Sequence, residues 1–377
     1  MTLTGVWSVG SLLHDPDGEV WIGVPIEGDE TSPRGEAMRR ALVASGLPVV
    51  GPEEHPDSAI TAVHDPGMLA YLETAHDDWV AAGYGDEHGQ DRVVAYAFRH
   101  PAAFDHAGHR APRSLAARAG VYCLDTCTTI GPGSFRGIRY AVDASLTAAD
   151  AVLGGNGDAY AGVRPPGHHA GTTYFGGSCY LNNAAITAQY LREVGEGRVG
   201  IIDIDAHHGN GTQQIFYDRD DVVYTSAHID PGAGWFPHWS GFADETGEGR
   251  GEGFNRNIPL SRGSGDDELV SAVGALADVV GGASCDFLVV SLGVDAGAED
   301  ENSPLLVTGD GFARVAALLA DLRLPTVLVQ EGGYHLPSLE ADLTSFLTRF
   351  ATDRDDVSPQ SSSLPLPSPP EGRDDGR

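Results

Sequence analysis

Five short apolar-rich runs restrict what this chain can fold into: Ala159–Val163, Val199–Ile204, Val222–Ala227, Phe287–Leu292 and Thr326–Val329. Each is of strand length and is bounded by glycine, proline or polar residues, as a strand buried on both faces requires. Helix-like stretches lie between or beside them, at Tyr140–Leu153, Asn182–Val194, Asp267–Val280 and Gly311–Leu322. Strands alternating with helices imply an α/β domain whose mostly parallel sheet is covered on both faces. In such sheets ligands bind beyond the carboxyl ends of the strands. The polar motifs of this chain fall there: Arg164-Pro165-Pro166-Gly167-His168-His169, Asp203 to His208, Gly293-Val294-Asp295 and Glu331-Gly332-Gly333-Tyr334 each follow a run. Four separate segments are therefore expected to converge on one rim.

The domain is expected to span 1–350. From Ala351 to Arg377 the chain is Ser, Pro, Asp and Gly with little to bury, and it reads as a disordered tail. The segment Asp77–Gly120 reads as an excursion too polar for the core, of the kind that frames a binding site or an oligomer contact. No stretch approaches the length of a membrane span, and Met1–Leu13 lacks the pattern of a secretory signal. Cys123, Cys127, Cys179 and Cys285 are too scattered for a disulfide framework, and the C-x3-C pair has no second pair to complete a structural zinc site. A reducing cytoplasm is the expected compartment. The 54 acidic residues outweigh 23 basic ones, all arginine, for a formal net charge of −31. Such a field repels nucleic acid and attracts cations, although a genomic bias toward Arg and Asp would produce the same composition.

The strongest motif is Asp203-Ile204-Asp205-Ala206-His207-His208-Gly209-Asn210. Residues two apart on a strand point the same way, so Asp203, Asp205 and His207 can share a face. A mixed carboxylate and imidazole set suits Zn²⁺ where a third ligand and an open position exist, and Asp295 is the natural third ligand. The alternative is a row of acidic helix caps. His168 and His169, held by a stiff Pro-Pro-Gly turn, can take and return a proton near such a metal. Asp203 and Asn210 can each orient one of those imidazoles through its far ring nitrogen. Tyr334, after two glycines, can present a phenol to a developing oxyanion.

Together, the stretches RPPGHHA, CYLNNAA, DIDAHHGNGTQ and EGGY resemble the histone deacetylase superfamily, which includes the acetylpolyamine amidohydrolases. The resemblance runs from about Val63 to Tyr334, and Asn210 is closer to the class II and polyamine branches. It implies an arginase/deacetylase-like three-layer α/β/α fold. It also implies one catalytic Zn²⁺ per chain on Asp205, His207 and Asp295, with His168, His169 and Tyr334 as the catalytic groups, and allows a structural K⁺. Asp203 and Asn210 match the partners behind the histidines. Gly177, Ser178 and Phe236 match the acyl tunnel, and Trp235-Phe236 forms the wall opposite Ser178. Ser178 replaces an aromatic residue there, and Asp300-Glu301 replaces the usual Asp-Pro. The implied reaction is metal-assisted removal of an acetyl group from an amine, with His169 as the favoured proton acceptor. The expected substrate is a small acetylated amine such as an acetylpolyamine, acted on by a homodimer. A protein acetyl-lysine deacetylase, a dimanganese ureohydrolase and an inactive acyl-amine binder are the alternatives.

Overall fold

The computed structural model describes residues 3–100 and 112–355. Its strands, in chain order, are β1 (Leu3–Val6), β2 (Glu19–Trp21), β3 (Val24–Ile26), β4 (Val49–Val50), β5 (Asp158–Ala161), β6 (Val199–Asp203), β7 (Val222–Ile229), β8 (Asn255–Leu260), β9 (Phe287–Leu292) and β10 (Thr326–Gln330). Eight of them form one sheet in the order β4-β1-β5-β10-β9-β6-β7-β8, while β2 and β3 form a separate antiparallel hairpin. Every pairing in the large sheet is parallel. The carboxyl ends of all eight strands therefore lie on one side.

The period-two alternation of a strand divides the apolar residues between two cores. On β9, Val289 enters one core and Leu288, Val290 and Leu292 enter the other. The first core is closed by helices Pro66–Ala81, Ser134–Leu153 and Asn183–Val194; the second by Ser32–Ala44, Asp266–Gly282, Gly309–Asp321 and Leu336–Asp355. Each fully buried Leu, Ile or Val contributes roughly 1.5–3 kcal/mol, so the two cores bind both helical layers to the sheet.

The five runs read from the sequence are β5, β6, β7, β9 and β10 within two residues at either end. Strands β1, β4 and β8 were not apparent from the apolar pattern. Strand β8 has an interrupted burial pattern and carries Pro259, which an edge strand tolerates because one side of its ladder is unpaired. The excursion Asp77–Gly120 is more firmly anchored than its polarity suggested. Trp79, Val93, Ala95 and Ala119 are buried in the first core, and Val93 pairs with Ile130 in an isolated bridge. Its residues 101–111 lie outside the described part.

The final helix continues to Asp355, five residues past the expected boundary at 350. The cause is Arg354, buried with Nε 2.6 Å from Asp158 Oδ2 and Nη2 2.7 Å from Asp158 Oδ1. Asp158 Oδ1 also accepts from the Thr326 amide at 2.9 Å, so this ion pair ties the last helix to β5 and β10. Residues 356–377 of the expected tail lie outside the described part. Removing one member of a buried pair leaves the other charge uncompensated, at a cost of about 3–5 kcal/mol. Arg354→Ala is accordingly expected to lower the unfolding free energy by about 3 kcal/mol in a urea titration. A loss below about 1 kcal/mol would show that the pair does not hold the helix.

Candidate active site

Strands β5, β10, β9 and β6 are consecutive in the sheet, and each delivers one motif at its carboxyl end. Asp205, His207 and Asp295 meet there, all buried, with donor atoms within 4.8 Å of one another. His207 Nδ1 lies 3.2 Å from Asp205 Oδ1 and 3.0 Å from Asp295 Oδ2. The backbone fixes the other carboxylate oxygens. Asp205 Oδ2 accepts from the Gly332 amide at 2.7 Å, and Asp295 Oδ1 accepts from the Ala206 amide at 2.9 Å. A Cβ on Gly332 would come within 2.4 Å of Asp295 Oδ2 and 2.6 Å of Asp205 Oδ2, so only glycine lets this backbone approach.

The cluster requires positive charge. Burial and the adjacent Asp205 push the Asp295 carboxyl up to about 6. Against the penalty of burial, hydrogen bonds to Asp205 and Asp295 push His207 up to about 10. Burial also acts to raise Asp205, but His168 and His207 hold it below the usual carboxylate range. Two carboxylates and one imidazole directed at a common point fit a Zn²⁺ ion with an open coordination position, which would supply the missing charge.

The tandem histidines are treated differently by their neighbours. His168 Nδ1 lies 3.1 Å from Asp203 Oδ2, which also accepts from the Tyr224 hydroxyl at 3.1 Å. Burial lowers His168, but the charges of Asp205 and Asp203 prevail and push it up to about 10. His169 Nδ1 instead donates to the Asn210 side-chain oxygen at 2.8 Å. A neutral amide adds no charge, so burial and then His168 and His207 hold His169 well below the usual imidazole value. The two rings, 4.0 Å apart between centroids, thus form one charged and one neutral imidazole. With Nδ1 donating to Asn210, Nε2 of His169 is the nitrogen able to accept a proton.

A cavity of about 360 Å³ opens onto these groups. His169, His207, Gly177, Ser178, Phe236 and Tyr334 line it, and Glu19, Trp21 and Ile26 of the β2–β3 hairpin form part of its rim. Gly177 and Ser178 have left-handed φ values of +58° and +62°. A Cβ on Gly177 would meet His169 Cδ2 at 2.5 Å and Phe236 Cε1 at 2.8 Å. Of the Trp235-Phe236 pair, Phe236 faces the cavity edge-on to His169 at 4.7 Å, whereas Trp235 packs against the second core and donates to the Asn302 carbonyl.

Several contributors were given no role by the motif reading. Asp125 accepts from the Gly177 amide at 2.6 Å and the Thr128 amide at 2.7 Å, fixing that wall. Asp300 accepts from the Tyr334 amide at 2.6 Å and the His335 amide at 3.1 Å. The departure from Asp-Pro at Asp300-Glu301 thus leaves intact an aspartate that holds the Tyr334 turn. Glu331, pushed up to about 7 by burial, accepts from the amides of Gly167 and His168. The rim carboxylates Glu19 and Asp29 come from the N-terminal segment, which carries none of the motifs.

A histone deacetylase domain profile matches residues 29–350. The chain is 41% identical over 325 residues to an acetylpolyamine amidohydrolase of Burkholderia pseudomallei, covering 86% of this chain and 92% of that protein. It is 35% identical over 347 residues to the acetylpolyamine amidohydrolase of Mycoplana ramosa, covering 92% and 99%. The crystal structure of an acetylpolyamine aminohydrolase from B. pseudomallei superposes with a TM-score of 0.86 at 39% identity, covering 93% of this chain and 98% of that one. The HD domain of HDA15 superposes with a TM-score of 0.75 at 26% identity, covering 93% and 90%.

The contrast between the two histidines can be tested directly. Asn210→Asp places a carboxylate behind His169, which favours its charged form and should raise its pKa by about 1–3 units. Histidine NMR titrations of wild type and variant measure the shift; an unchanged His169 would remove Asn210 as the cause of its neutrality.

Proposed function

The chain belongs to the histone deacetylase family, and on that premise we propose that it removes acetyl groups from acetylated polyamines or similarly small acetylated amines. It is a hydrolase of linear amide bonds, and zinc dependence comes with the family. The finer reading has one Zn²⁺ per chain on Asp205, His207 and Asp295, a structural K⁺ that rests on family likeness alone, a homodimer and a cytoplasmic location. Among the described residues no helix is long and apolar enough to cross a membrane, which is compatible with that location.

One observation carries the substrate reading. Among the described residues, the cavity that reaches the histidines and Tyr334 has Glu19, Asp29, Glu30 and Asp125 in its lining and no arginine. Asp125 is engaged with the Gly177 wall and Glu30 with arginines, which leaves Glu19 and Asp29 to face a cation. A substrate that is acetylated at one end and cationic at the other satisfies both regions.

A Zn²⁺ ion held by Asp205, His207 and Asp295 would supply Lewis acidity for polarising an amide carbonyl and acidifying water. The chain's own groups carry the proton and the charge. Neutral His169, its Nδ1 proton donated to Asn210, accepts through Nε2 the proton of the attacking water and later delivers it to the departing amine nitrogen. His168, kept protonated by Asp203 and Asp205, stabilises the negative charge that builds up beside it. The Tyr334 phenol, which burial pushes well above its usual value, stays protonated and donates to the oxyanion. The products are a free amine and acetate.

Asp295→Ala removes one of three converging donors. By metal analysis it is expected to lose the stoichiometric zinc proposed for wild type, together with hydrolysis. Full metal occupancy with wild-type turnover would refute the ligand set.

Glu19 gives the substrate test its sign. Burial, then Asp29 and Asp125, push its carboxyl up to about 7, so its charge appears only as pH rises through that value. A cationic tail should therefore bind better at pH 8 than at pH 6. The expected outcome is a roughly fivefold rise in kcat/KM for N-acetylputrescine relative to neutral N-acetylbutylamine over that interval, abolished by Glu19→Gln or high salt. A flat ratio would sink the cationic-substrate reading and leave deacetylation standing.

A further inference from the structure

Glu30, Arg34 and Arg164 form a buried cluster just behind the catalytic rim, each side chain at most 1% exposed. Glu30 Oε1 accepts from Arg34 Nη1 at 2.6 Å and from Arg164 Nε at 3.0 Å. Glu30 Oε2 pairs with Arg164 Nη2, and the Glu30 carbonyl accepts from the same nitrogen at 3.3 Å. Burial acts to raise this carboxyl, but Arg164 and Arg34 together hold it below its ordinary value. One carboxylate is thus shared by two guanidinium groups in a place where neither could be left unpaired.

Each arginine holds a different catalytic loop. Arg34 donates through Nε to the Gly333 carbonyl at 2.6 Å and through Nη2 to the Glu331 carbonyl at 2.7 Å, and its guanidinium lies 4.5 Å over the Tyr334 ring. Arg164 begins the turn that carries His168 and His169, and its Nη1 donates to the carbonyls of Ser11 and His14, both at 2.7 Å. A planar guanidinium makes several directed hydrogen bonds at once, so each arginine fixes orientation as well as position.

We propose that Glu30 is a positioning residue: by clamping Arg34 and Arg164 to one carboxylate, it sets the separation between the His169 proton acceptor and the Tyr334 hydroxyl. The proposal rests on the deacetylase reading for its consequence in rate, since a misplacement near 1 Å can cost about 100-fold in turnover. It rests on geometry alone for its consequence in structure.

Both consequences are measurable in Glu30→Gln of the full chain. Amide hydrogen exchange at Glu331–Tyr334 and at Gly167–His169 should accelerate together, with the rest of the sheet unchanged. Turnover of N-acetylputrescine should fall about 30-fold, with KM and zinc content within about twofold of wild type. Wild-type exchange in both loops, or acceleration in one alone, would overturn the clamp. Unchanged turnover in a variant whose loops have both loosened would overturn its catalytic consequence. If Glu30→Gln is too unstable to purify, Arg34→Lys is judged by the Glu331–Tyr334 exchange and by turnover. It keeps a charge for Glu30 but loses the bonds to Gly333 and Glu331, so wild-type values there would overturn the proposal. A wild-type enzyme inactive on every acetylated amine would refute the functional reading instead, and the exchange data would still decide the clamp.

Discussion

Everything at the site depends on four neighbouring parallel strands ending at one level. The register that pairs Asp203 with Ser291 and Gln330 with Leu292 brings the β6, β9 and β10 loops out side by side. The side chains at that edge are short and their backbones lie close together, so donors from residues 205, 207 and 295 converge without long, mobile reaches. The same edge offers amides as well as side chains. Gly332 and Ala206 each use a backbone N–H to fix a carboxylate oxygen, which orients the second oxygen at no rotamer cost.

Electrostatics then distinguishes groups that the fold has made nearly equivalent. His168 and His169 are adjacent, buried and of one residue type, yet an aspartate stands behind one and an asparagine behind the other. With the charge of Asp205 beside the first ring and burial acting on the second, that difference favours a charged and a neutral imidazole within one dipeptide. In the lining of the same cavity, uncompensated carboxylates create a demand for positive charge that the substrate can satisfy.

Much of this was legible in the residues. Asp205, His207 and Asp295 could be read because each follows a buried run at a spacing that fixes its direction, and the central strands because long apolar runs have few alternatives. Strand β8 was hidden by its edge position, where alternating polar residues and a proline are permitted. Glu30 and Arg34 were hidden for another reason. Their partners lie 134 residues away for the Glu30–Arg164 contact and 299 residues away for the Arg34–Gly333 contact, and no local pattern encodes a tie of that length. A buried arginine looks like a surface arginine until its partners are known. The last turn of the final helix was hidden similarly, because Arg354 stands in a polar stretch and is buried against Asp158.

The strand order also dictates when, during synthesis, this site can exist. Strand β10 is the last of the described strands to leave the ribosome, yet it sits in the middle of the sheet between β5 and β9. Until it emerges, the growing chain consists of two half-sheets, each with an unpaired inner edge of buried character. The half containing β6 and β9 already carries Asp205, His207 and Asp295, but it lacks the Gly332 amide that fixes Asp205 Oδ2. The phenol, the backing glutamate and the carbonyls that Arg34 grips all arrive with that final central strand. The candidate site can therefore be complete only once β10 has inserted, and until then the two inner edges are open to wrong pairing.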